Sequence, residues 1–504
     1  MARELSLDDI VTDFLLNTCR PCPPYLRKHA VNAAVCCGLL ATMKNELLVD
    51  KDIELIPLTT GSVAEFYIEP ILPHIGDIDV MFHHDTQLAI PRGHSPPTQL
   101  PAEFNSYVKV MEIIDSHLPG YLYLELRYLL TECSDDGNYN AVDYDRGQYL
   151  SNQMYRGVAD MHGPALLAQS PFESLVLSRD QVFCVRCLSW PLQAADWPTR
   201  RRNYGWPDSA TLDRVVCNGC DLVGVAHRQC RQHEWMGKRQ WRLSFSRAEI
   251  VLINSWMPVQ QIVYHMLRYF KKTEQLADCA DNSGAGKLSN YHIKTLMLWA
   301  CELKSRSWWT DGVNLVRICV QMLHMLAKWL KDRSCQHYFI NNCNLIDNSF
   351  NVTNIRDQLM SIDEMWLSTW FVDNYIGACL QLDDCPRNIS RLFDDVTTSM
   401  KLRNAVSELV AWRRNSSVSD LWIGFNTVEI AIPSPLCIRA AECHIMFLLD
   451  NSIEEDRLLS LCLLYSSSVS TRCVQITKTW FQRRVDGYLS DSMWTVYRHT
   501  TSSQ

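Results

Sequence analysis

The residues best suited to metal-assisted chemistry lie near residue 80. Asp77 and Asp79 are two positions apart in the segment Gly-Asp-Ile-Asp-Val-Met, so in a strand both side chains face the same side. Carboxylates at this spacing repel each other unless a cation lies between them. Mg²⁺ binds such oxygen ligands and keeps positions open for substrate phosphates. Asp180 begins the strand-like run Asp-Gln-Val-Phe-Cys-Val and is the candidate third carboxylate of a two-metal site.

A glycine–serine turn precedes these carboxylates. Gly61 and Ser62 follow a short β-like segment, and such a turn can offer backbone N–H groups and a hydroxyl to the terminal phosphate of a nucleotide. A lone Gly-Ser or a lone Asp-x-Asp is unspecific. In combination, with the aspartates between Ile and Val, they are typical of the nucleotidyltransferase sheet. The expected cofactor is Mg²⁺, with Mn²⁺ as the alternative.

Both helices and strands must position these residues. Apolar residues recur at helical spacing from Leu7 to Leu15, and a second helix is predicted from about Leu26 to Leu48. Segments rich in Ile, Val, Tyr and Phe predict strands at 53–58, 64–68, 78–82, 121–130 and 182–188. From residue 246 onward the period is helical, with long stretches at 250–272, 290–303 and 309–330, and a candidate strand at 423–432. The pattern predicts an α+β class.

The composition excludes several classes of protein. The chain has 504 residues, 47% of them hydrophobic and 21% charged, which excludes wholesale disorder, collagen and coiled coil. The net charge of −8 argues against a histone-like nucleic-acid binder. The N-terminus lacks an apolar signal core, and no apolar run is long enough to span a bilayer. With 21 cysteines, we expect free thiols, a reducing cytoplasmic location and no membrane partner.

Two later strings carry a family resemblance. Trp-Arg-Leu-Ser-Phe-Ser occupies 241–246 and Tyr-His-Ile-Lys-Thr occupies 291–295, followed by Trp308-Trp309 and by His-Tyr-Phe-Ile at 337–340. In this order they closely resemble cyclic GMP-AMP synthase and the cGAS-like receptors, a family that also contains the "male-abnormal" (Mab) developmental proteins. The resemblance extends over about residues 5–350.

The resemblance implies roles for individual positions. Gly61 and Ser62 match the phosphate turn, and Asp77, Asp79 and Asp180 match the three catalytic metal carboxylates. Arg268 lies where the family has a phosphate-contacting lysine, and arginine would bind phosphate with bidentate geometry. Nucleotide contacts are implied for a further set that includes a base-contacting arginine and a stacking tyrosine: Arg242, Ser244, Ser246, Glu249, Ser289 and Tyr291.

The resemblance also implies an architecture. It is a bilobal nucleotidyltransferase fold with a long N-terminal helix, a mixed twisted sheet and a C-terminal helical lobe, followed by an extra α-helical module. The predicted bounds are 1–245 for the catalytic core, 246–350 for the helical lobe and 351–504 for the module. Arg242, Arg268 and Tyr291 are expected to reach the cleft from the helical side.

The implied activity is synthesis of a cyclic dinucleotide second messenger from ATP, GTP or both in innate immune signalling. The product would act on a downstream cyclic-dinucleotide receptor, and a pathogen-associated nucleic acid would activate the enzyme, with double-stranded RNA favoured over DNA. Two alternatives stay open. One is a linear oligoadenylate synthase, and the other is a non-catalytic Mab-type nucleotide-binding interaction protein, against which the intact carboxylates argue.

A basic segment offers a surface for such an activator. Residues 186–272 hold 14 Lys and Arg against six Asp and Glu, a balance of +8, and the expected ligand face is Arg200–Arg202 with Lys238 and Arg239. The same region holds residues of zinc-compatible types. Structural zinc is not expected, because the family's zinc pattern, which follows residue 246, does not occur here. The candidate ligands are Cys217, Cys220, His227, Cys230 and His233.

Overall fold

The fold is taken from a computed structural model of the chain. It describes residues 6–19, 55–61, 65, 78–101, 104–134, 136–144, 147–152, 161–162, 165–168, 179–274, 276, 288–346, 353–381, 387–394 and 396–415. The side chains at 161–181 and at a few further positions lie outside this description. The predicted helix at 26–48 and strand at 423–432 also lie outside the described residues.

The described strands form one mixed sheet. They are β1 (Leu55–Thr60), β2 (Ile78–Pro91), β3 (Tyr107–Asp115), β4 (Tyr121–Glu132), β5 (Tyr139–Asp143), β6 (Met161–His162), β7 (Ala165–Ala168), β8 (Arg179–Cys187), β9 (Cys220–Val223) and β10 (Gln240–Ser244). Their order is β1-β2-β3-β4-β10-β9-β8-β7-β6, with β5 on the far half of β4. β2 pairs in parallel with both β3 and β8, while the other pairings are antiparallel.

The pairing of β2 with β8 closes part of this sheet into a barrel. β2, β3, β4, β10, β9 and β8 form a ring, with β1, β5, β6 and β7 attached outside it. β2 is long enough to do this because its first half pairs with β1 and β8, and its second half pairs with β3. The mixed α and β content agrees with the sequence prediction, whereas the closure was not predicted.

Helices occupy the N-terminus and most of the described chain after residue 245. The described helices are α1 (Leu7–Thr18), α2 (Ser209–Cys217), α3 (Met236–Arg239), α4 (Ser246–Asn254), α5 (Pro258–Thr273), α6 (Asn290–Leu303), α7 (Arg306–Thr310), α8 (Leu315–Lys331), α9 (Thr353–Met360), α10 (Glu364–Trp370), α11 (Gly377–Leu380), α12 (Arg387–Asp394) and α13 (Ser399–Asn415). A π-helical turn at Phe371–Ile376 joins α10 to α11.

Local sequence explains where these helices begin. The Ser6 hydroxyl donates to Asp9 at 2.8 Å in a capping box at the start of α1, and Asn314 accepts the Arg317 N–H at the start of α8. Two predicted helices were wrong in extent. The stretch 250–272 breaks before Pro258, which begins α5, and 309–330 breaks at Gly312, which has a positive φ.

A continuous apolar core joins the sheet to the helices. Phe14 of α1, Trp241 of β10 and Leu323 of α8 are all fully or almost fully buried in it. Tyr375 and Leu409 lie in the same core, so the described helices beyond residue 350 pack on the helical lobe and on α1. In the described part of the chain, no helix is both long and apolar enough to cross a bilayer.

Candidate active site

The carboxylate positions meet where β2 and β8 run side by side. Asp79 of β2 is the register partner of residue 180 of β8, in a parallel pairing that extends from residue 78 to residue 83. The sequence placed Asp180 on a neighbouring strand, and the backbone register confirms that placement. Asp77 lies outside the described residues, as does the Asp180 side chain, so their role as metal ligands stays a prediction.

Gly61 lies directly against the Asp79 carboxylate. The residue follows Thr60, which is the register partner of Asp79, and it has a φ of +65°. A Cβ built at residue 61 would lie 1.8 Å from Asp79 Oδ2, so only glycine allows this close approach. The predicted phosphate turn therefore contacts the predicted metal strand, although Ser62 lies outside the described residues. Glu65 has helical backbone, which contradicts a strand at 64–68 at that position.

The donor set suits a hard cation. The carboxylate of Asp79 and the residue type at 180 offer oxygen ligands of the kind that Mg²⁺ binds, and the absence of a Cβ at Gly61 lets the Asp79 carboxylate lie directly against the turn. Mg²⁺ is thus compatible with the described part of the site.

Arg242 and two serines lie at the end of β10. Arg242 is exposed and belongs to the sheet, which corrects the expectation that it approaches from the helical side. Ser244 Oγ lies 3.1 Å from Ser246 Oγ and 4.0 Å from Met81 Sδ, two residues beyond Asp79 on β2. The end of β10, followed directly by α4, thus brings the serines next to the carboxylate strand.

A buried ion-pair cluster connects the turn to the helical side. Lys294 of α6 donates to Glu65, four positions beyond Gly61, and to Glu249 of α4 at 2.6 Å. Glu65 and Glu249 are almost fully buried. Burial lowers the pKa of Lys294, but the two carboxylates outweigh it and hold the pKa well above its usual range. Glu249, predicted to bind nucleotide, therefore pairs with Lys294.

Arg268 is a buried cation beside this cluster. Its guanidinium lies 5.6 Å from the centre of the Tyr264 ring, and the Tyr264 hydroxyl is 3.4 Å from Glu65 Oε2. Arg268 is only 8% exposed, and among the described residues it makes no ion pair with a carboxylate. A buried positive charge without a carboxylate partner favours an anionic ligand such as a phosphate.

Tyr291 and Ser289 lie at the start of α6. The Tyr291 hydroxyl is 2.9 Å from His337 Nε2, and the Lys294 ammonium lies 5.9 Å from the centre of the Tyr291 ring. Ser289 caps α6 through a reciprocal pair with His292, whose Nδ1 accepts the Ser289 N–H at 3.0 Å. Ser289 therefore has a structural task in addition to its predicted contact with nucleotide.

Glu65, Lys294 and His337 were not predicted as functional positions. Lys294 and His337 belong to strings that were noted for the resemblance, but no role followed from residue type alone. The available signal for Lys294 was a charged residue two positions before the apolar run 296–299 of α6. Glu65 offered no such signal, because a single acid after a turn is usually solvated.

The expected basic face is partly wrong. Arg200 donates to Glu302 at 2.6 Å and its guanidinium lies 4.4 Å from the centre of the Trp299 ring, while Arg202 Nε lies 3.4 Å from the same carboxylate. These two arginines are half-buried and share the Glu302 carboxylate. The cations of the 228–239 segment, by contrast, include the exposed Arg231 and Lys238.

The candidate zinc ligands do not converge within the described residues. No group of three or more His, Cys, Asp or Glu side chains in that part of the chain is arranged for a metal ion. Cys220 of β9 is the register partner of Cys187, and Cys217 is exposed at the end of α2. The twelve cysteines of the described ranges are all free thiols.

Comparison with known proteins gives this geometry a family context. Residues 108–255 match the model of the Mab-21 protein nucleotidyltransferase domain, and residues 260–364 match that of the Mab-21 protein HhH/H2TH-like domain. The chain carries a Mab-21-type nucleotidyltransferase domain. The matched ranges of this Mab-21-type protein contain residue 180, Arg242, Arg268 and Tyr291, while the segment with Gly61 and Asp79 precedes them.

Relatives of this Mab-21-type protein occur in worms and flies. It is 25% identical over 174 residues to "Protein male abnormal 21" of Caenorhabditis briggsae and to that of Caenorhabditis elegans, covering 33% of this chain and 45% of each relative. It is 28% identical over 156 residues to "Protein mab-21-like" of Drosophila melanogaster, covering 30% of this chain and 39% of the relative. The chain spans less than half the length of these curated relatives.

Proposed function

We propose that the protein is a metal-dependent nucleotidyltransferase. The observation that carries the proposal is the pairing of Asp79 with residue 180 on adjacent parallel strands, with the Gly61 backbone against the Asp79 carboxylate. Mg²⁺ held by Asp77, Asp79 and Asp180 would activate a ribose hydroxyl and stabilise the departing pyrophosphate. The hydroxyl oxygen attacks the α-phosphorus of a nucleoside triphosphate, the bond to the β-phosphate breaks, and pyrophosphate leaves.

The remaining residues bind and orient the nucleotide in this proposal. Gly61 and Ser62 receive the terminal phosphates, and Arg268 supplies the buried positive charge that a triphosphate requires. Arg242 and Tyr291 contact the base. Bound in this way, the substrate would present its α-phosphate to the carboxylate strands.

The finer proposal is a cytoplasmic cyclic dinucleotide synthase that uses ATP and GTP. Two successive nucleotidyl transfers in one pocket would give a cyclic product, and a cyclic-dinucleotide receptor would bind it. The family resemblance and the complete set of three aspartates in the sequence support this over a non-catalytic role. Linear oligoadenylate synthesis uses the same carboxylates and is separated from it by product analysis.

An activating nucleic acid would dock on the 228–239 segment. Trp235 is 39% exposed, its ring centre lies 5.3 Å from that of Tyr149, and the Arg239 guanidinium lies 5.6 Å from the centre of the indole ring. Cations beside an exposed aromatic ring suit a sugar–phosphate backbone, and double-stranded RNA is the proposed ligand. The segment continues into β10, which carries Arg242, so docking there would act on the nucleotide site.

The test of activity is product analysis. Purified protein is incubated with Mg²⁺ and labelled ATP and GTP, alone or with double-stranded RNA or DNA, and products are separated after phosphatase treatment. A resistant dinucleotide that disappears in Asp79→Asn and persists in Asp213→Asn, an exposed control, is the expected result. A linear ladder would favour the oligoadenylate alternative. Nucleotide binding without any pyrophosphate release under all conditions would favour the non-catalytic one.

The test of the docking surface is binding of labelled duplex RNA. Lys238→Gln is expected to weaken binding and to reduce the slope of log K against log salt by about one. Lys304→Gln is the control, because Lys304 is a lysine outside the segment, with its ammonium 4.9 Å from the centre of the Trp308 ring. Equal losses in the two variants would contradict the assignment.

A further inference from the structure

His337 has an unusually well-defined hydrogen-bonding environment. Its Nδ1 accepts the backbone N–H groups of Phe339 and Ile340, each at 3.1 Å. Its Nε2 lies 2.9 Å from the Tyr291 hydroxyl. The imidazole also packs against Phe245, with ring centres 5.6 Å apart. One histidine therefore joins the loop after α8 to the tyrosine at the start of α6.

These contacts fix the position of the imidazole proton. A nitrogen that accepts two N–H groups carries no hydrogen, so the proton of the neutral ring resides on Nε2. Nε2–H then donates to the Tyr291 oxygen. A second proton on Nδ1 would point at two N–H donors. Independently, burial and then the charge of Arg242 lower the pKa of His337 to about 3. The ring is neutral at physiological pH.

The consequence concerns the direction of the Tyr291 hydroxyl. Because the oxygen accepts from His337, its own hydrogen is directed elsewhere, and it makes no other hydrogen bond within the described residues. Burial and then Glu249 raise the pKa of Tyr291 well above its usual range, although Lys294 and Arg242 oppose this. The hydroxyl thus stays protonated and remains a donor.

We propose that His337 is a positioning residue that orients the Tyr291 hydroxyl as a hydrogen-bond donor to an acceptor atom of the bound nucleotide. The proposal rests on the proposed function only in taking a nucleotide as the ligand. The site is thereby expected to prefer a ligand with an acceptor at this position, beyond ring stacking, because the hydroxyl hydrogen that is not used by His337 is available to an acceptor and would meet another donor unfavourably.

A double-mutant cycle tests the proposal. The probe is α,β-methylene-ATP with Mg²⁺, which binds without turnover, and the full-length variants are Tyr291→Phe, His337→Phe and the double variant. Tyr291→Phe is expected to weaken binding about threefold to tenfold, the effect of one lost hydrogen bond. His337→Phe keeps an aromatic ring beside Phe245 and is expected to give a similar loss. The double variant is expected to bind no more weakly than Tyr291→Phe alone.

Further measurements separate this role from a structural one. His337→Gln, whose amide N–H can replace Nε2–H, is expected to restore part of the affinity, and wild-type affinity is expected to show no His337 titration between pH 5 and 9. Additive losses in the double variant, or unchanged binding in His337→Phe, would overturn the proposal. If the wild type binds the probe but forms no product from ATP and GTP under any of the conditions above, the proposed catalysis fails while this inference stands. If the wild type does not bind the probe, both fail.

Discussion

Replacing Gly61 with alanine tests whether the contact between Gly61 and Asp79 is required for activity, beyond the backbone strain that any such substitution causes. The new Cβ would lie 1.8 Å from Asp79 Oδ2, and real Cβ contacts stay beyond 3.0 Å, so the carboxylate oxygen must move by about 1.2 Å. A misplacement of about 1 Å at a reacting centre can cost about 100-fold in rate. The positive φ of +65° adds about 1–2 kcal/mol of strain for any residue with a Cβ.

Gly312→Ala is the matched control. Gly312 has a φ of +57° and nothing within 4 Å of the added Cβ, so it carries the backbone strain without the collision. We expect Gly312→Ala to lose about 1–2 kcal/mol of unfolding free energy in urea and Gly61→Ala to lose at least as much, and only Gly61→Ala to lose about 100-fold in pyrophosphate release. Equal activity of the two variants would refute the assignment of Gly61 to the catalytic site.

Further predictions concern the buried charges. Lys294→Met leaves two buried carboxylates without their cation and is expected to lower the free energy of unfolding in urea by about 3–5 kcal/mol. Lys294→Arg keeps the charge and is expected to lose less. A loss below about 1 kcal/mol in Lys294→Met would contradict a stabilising role of the ion-pair cluster. Burial raises the pKa of Asp221, but Arg247 and Arg186 lower it by more than burial raises it. The folded pKa is therefore below the unfolded value. Asp221 therefore contributes to stability above about pH 4, and this contribution is lost as the pH falls through the folded pKa. In Arg247→Met the loss of stability is expected to begin at a higher pH. The measurement is the urea midpoint as a function of pH. Arg268→Gln is expected to weaken triphosphate binding more than nucleoside binding by calorimetry, and equal effects would contradict a phosphate contact.

Much of the fold was predictable because local signals were strong. α6 matches the predicted stretch 290–303, and α1 falls within the first helical stretch, since each has a capping residue and an apolar period. The strand with Asp79 was also predicted, although β2 is much longer than 78–82. Short strands such as β9 and β10 carry too few residues for a clear period, which is why Arg242 was assigned to the wrong side.

The contacts between distant segments were not predictable. The barrel closure depends on the pairing of β2 with β8 across about 100 intervening residues, and no local pattern encodes that register. Whether an arginine is available to a ligand likewise depends on its partner in the folded chain. Arg200 resembles a ligand-binding residue in sequence, yet it forms an ion pair with Glu302, about 100 residues away. Residue types thus indicated the chemistry, whereas tertiary packing determined which charges are available to a ligand.

The central claim is that positions 79 and 180 form one metal site, and Mn²⁺ titration by electron paramagnetic resonance tests it without requiring an activator. The protein is titrated in the presence of α,β-methylene-ATP, as wild type, Asp79→Asn, Asp180→Asn and the exposed control Asp213→Asn. We expect each of the first two variants to lose Mn²⁺ affinity while the control does not, because the register makes Asp79 and residue 180 neighbours. Unchanged affinity in either Asp79→Asn or Asp180→Asn would contradict a shared metal site.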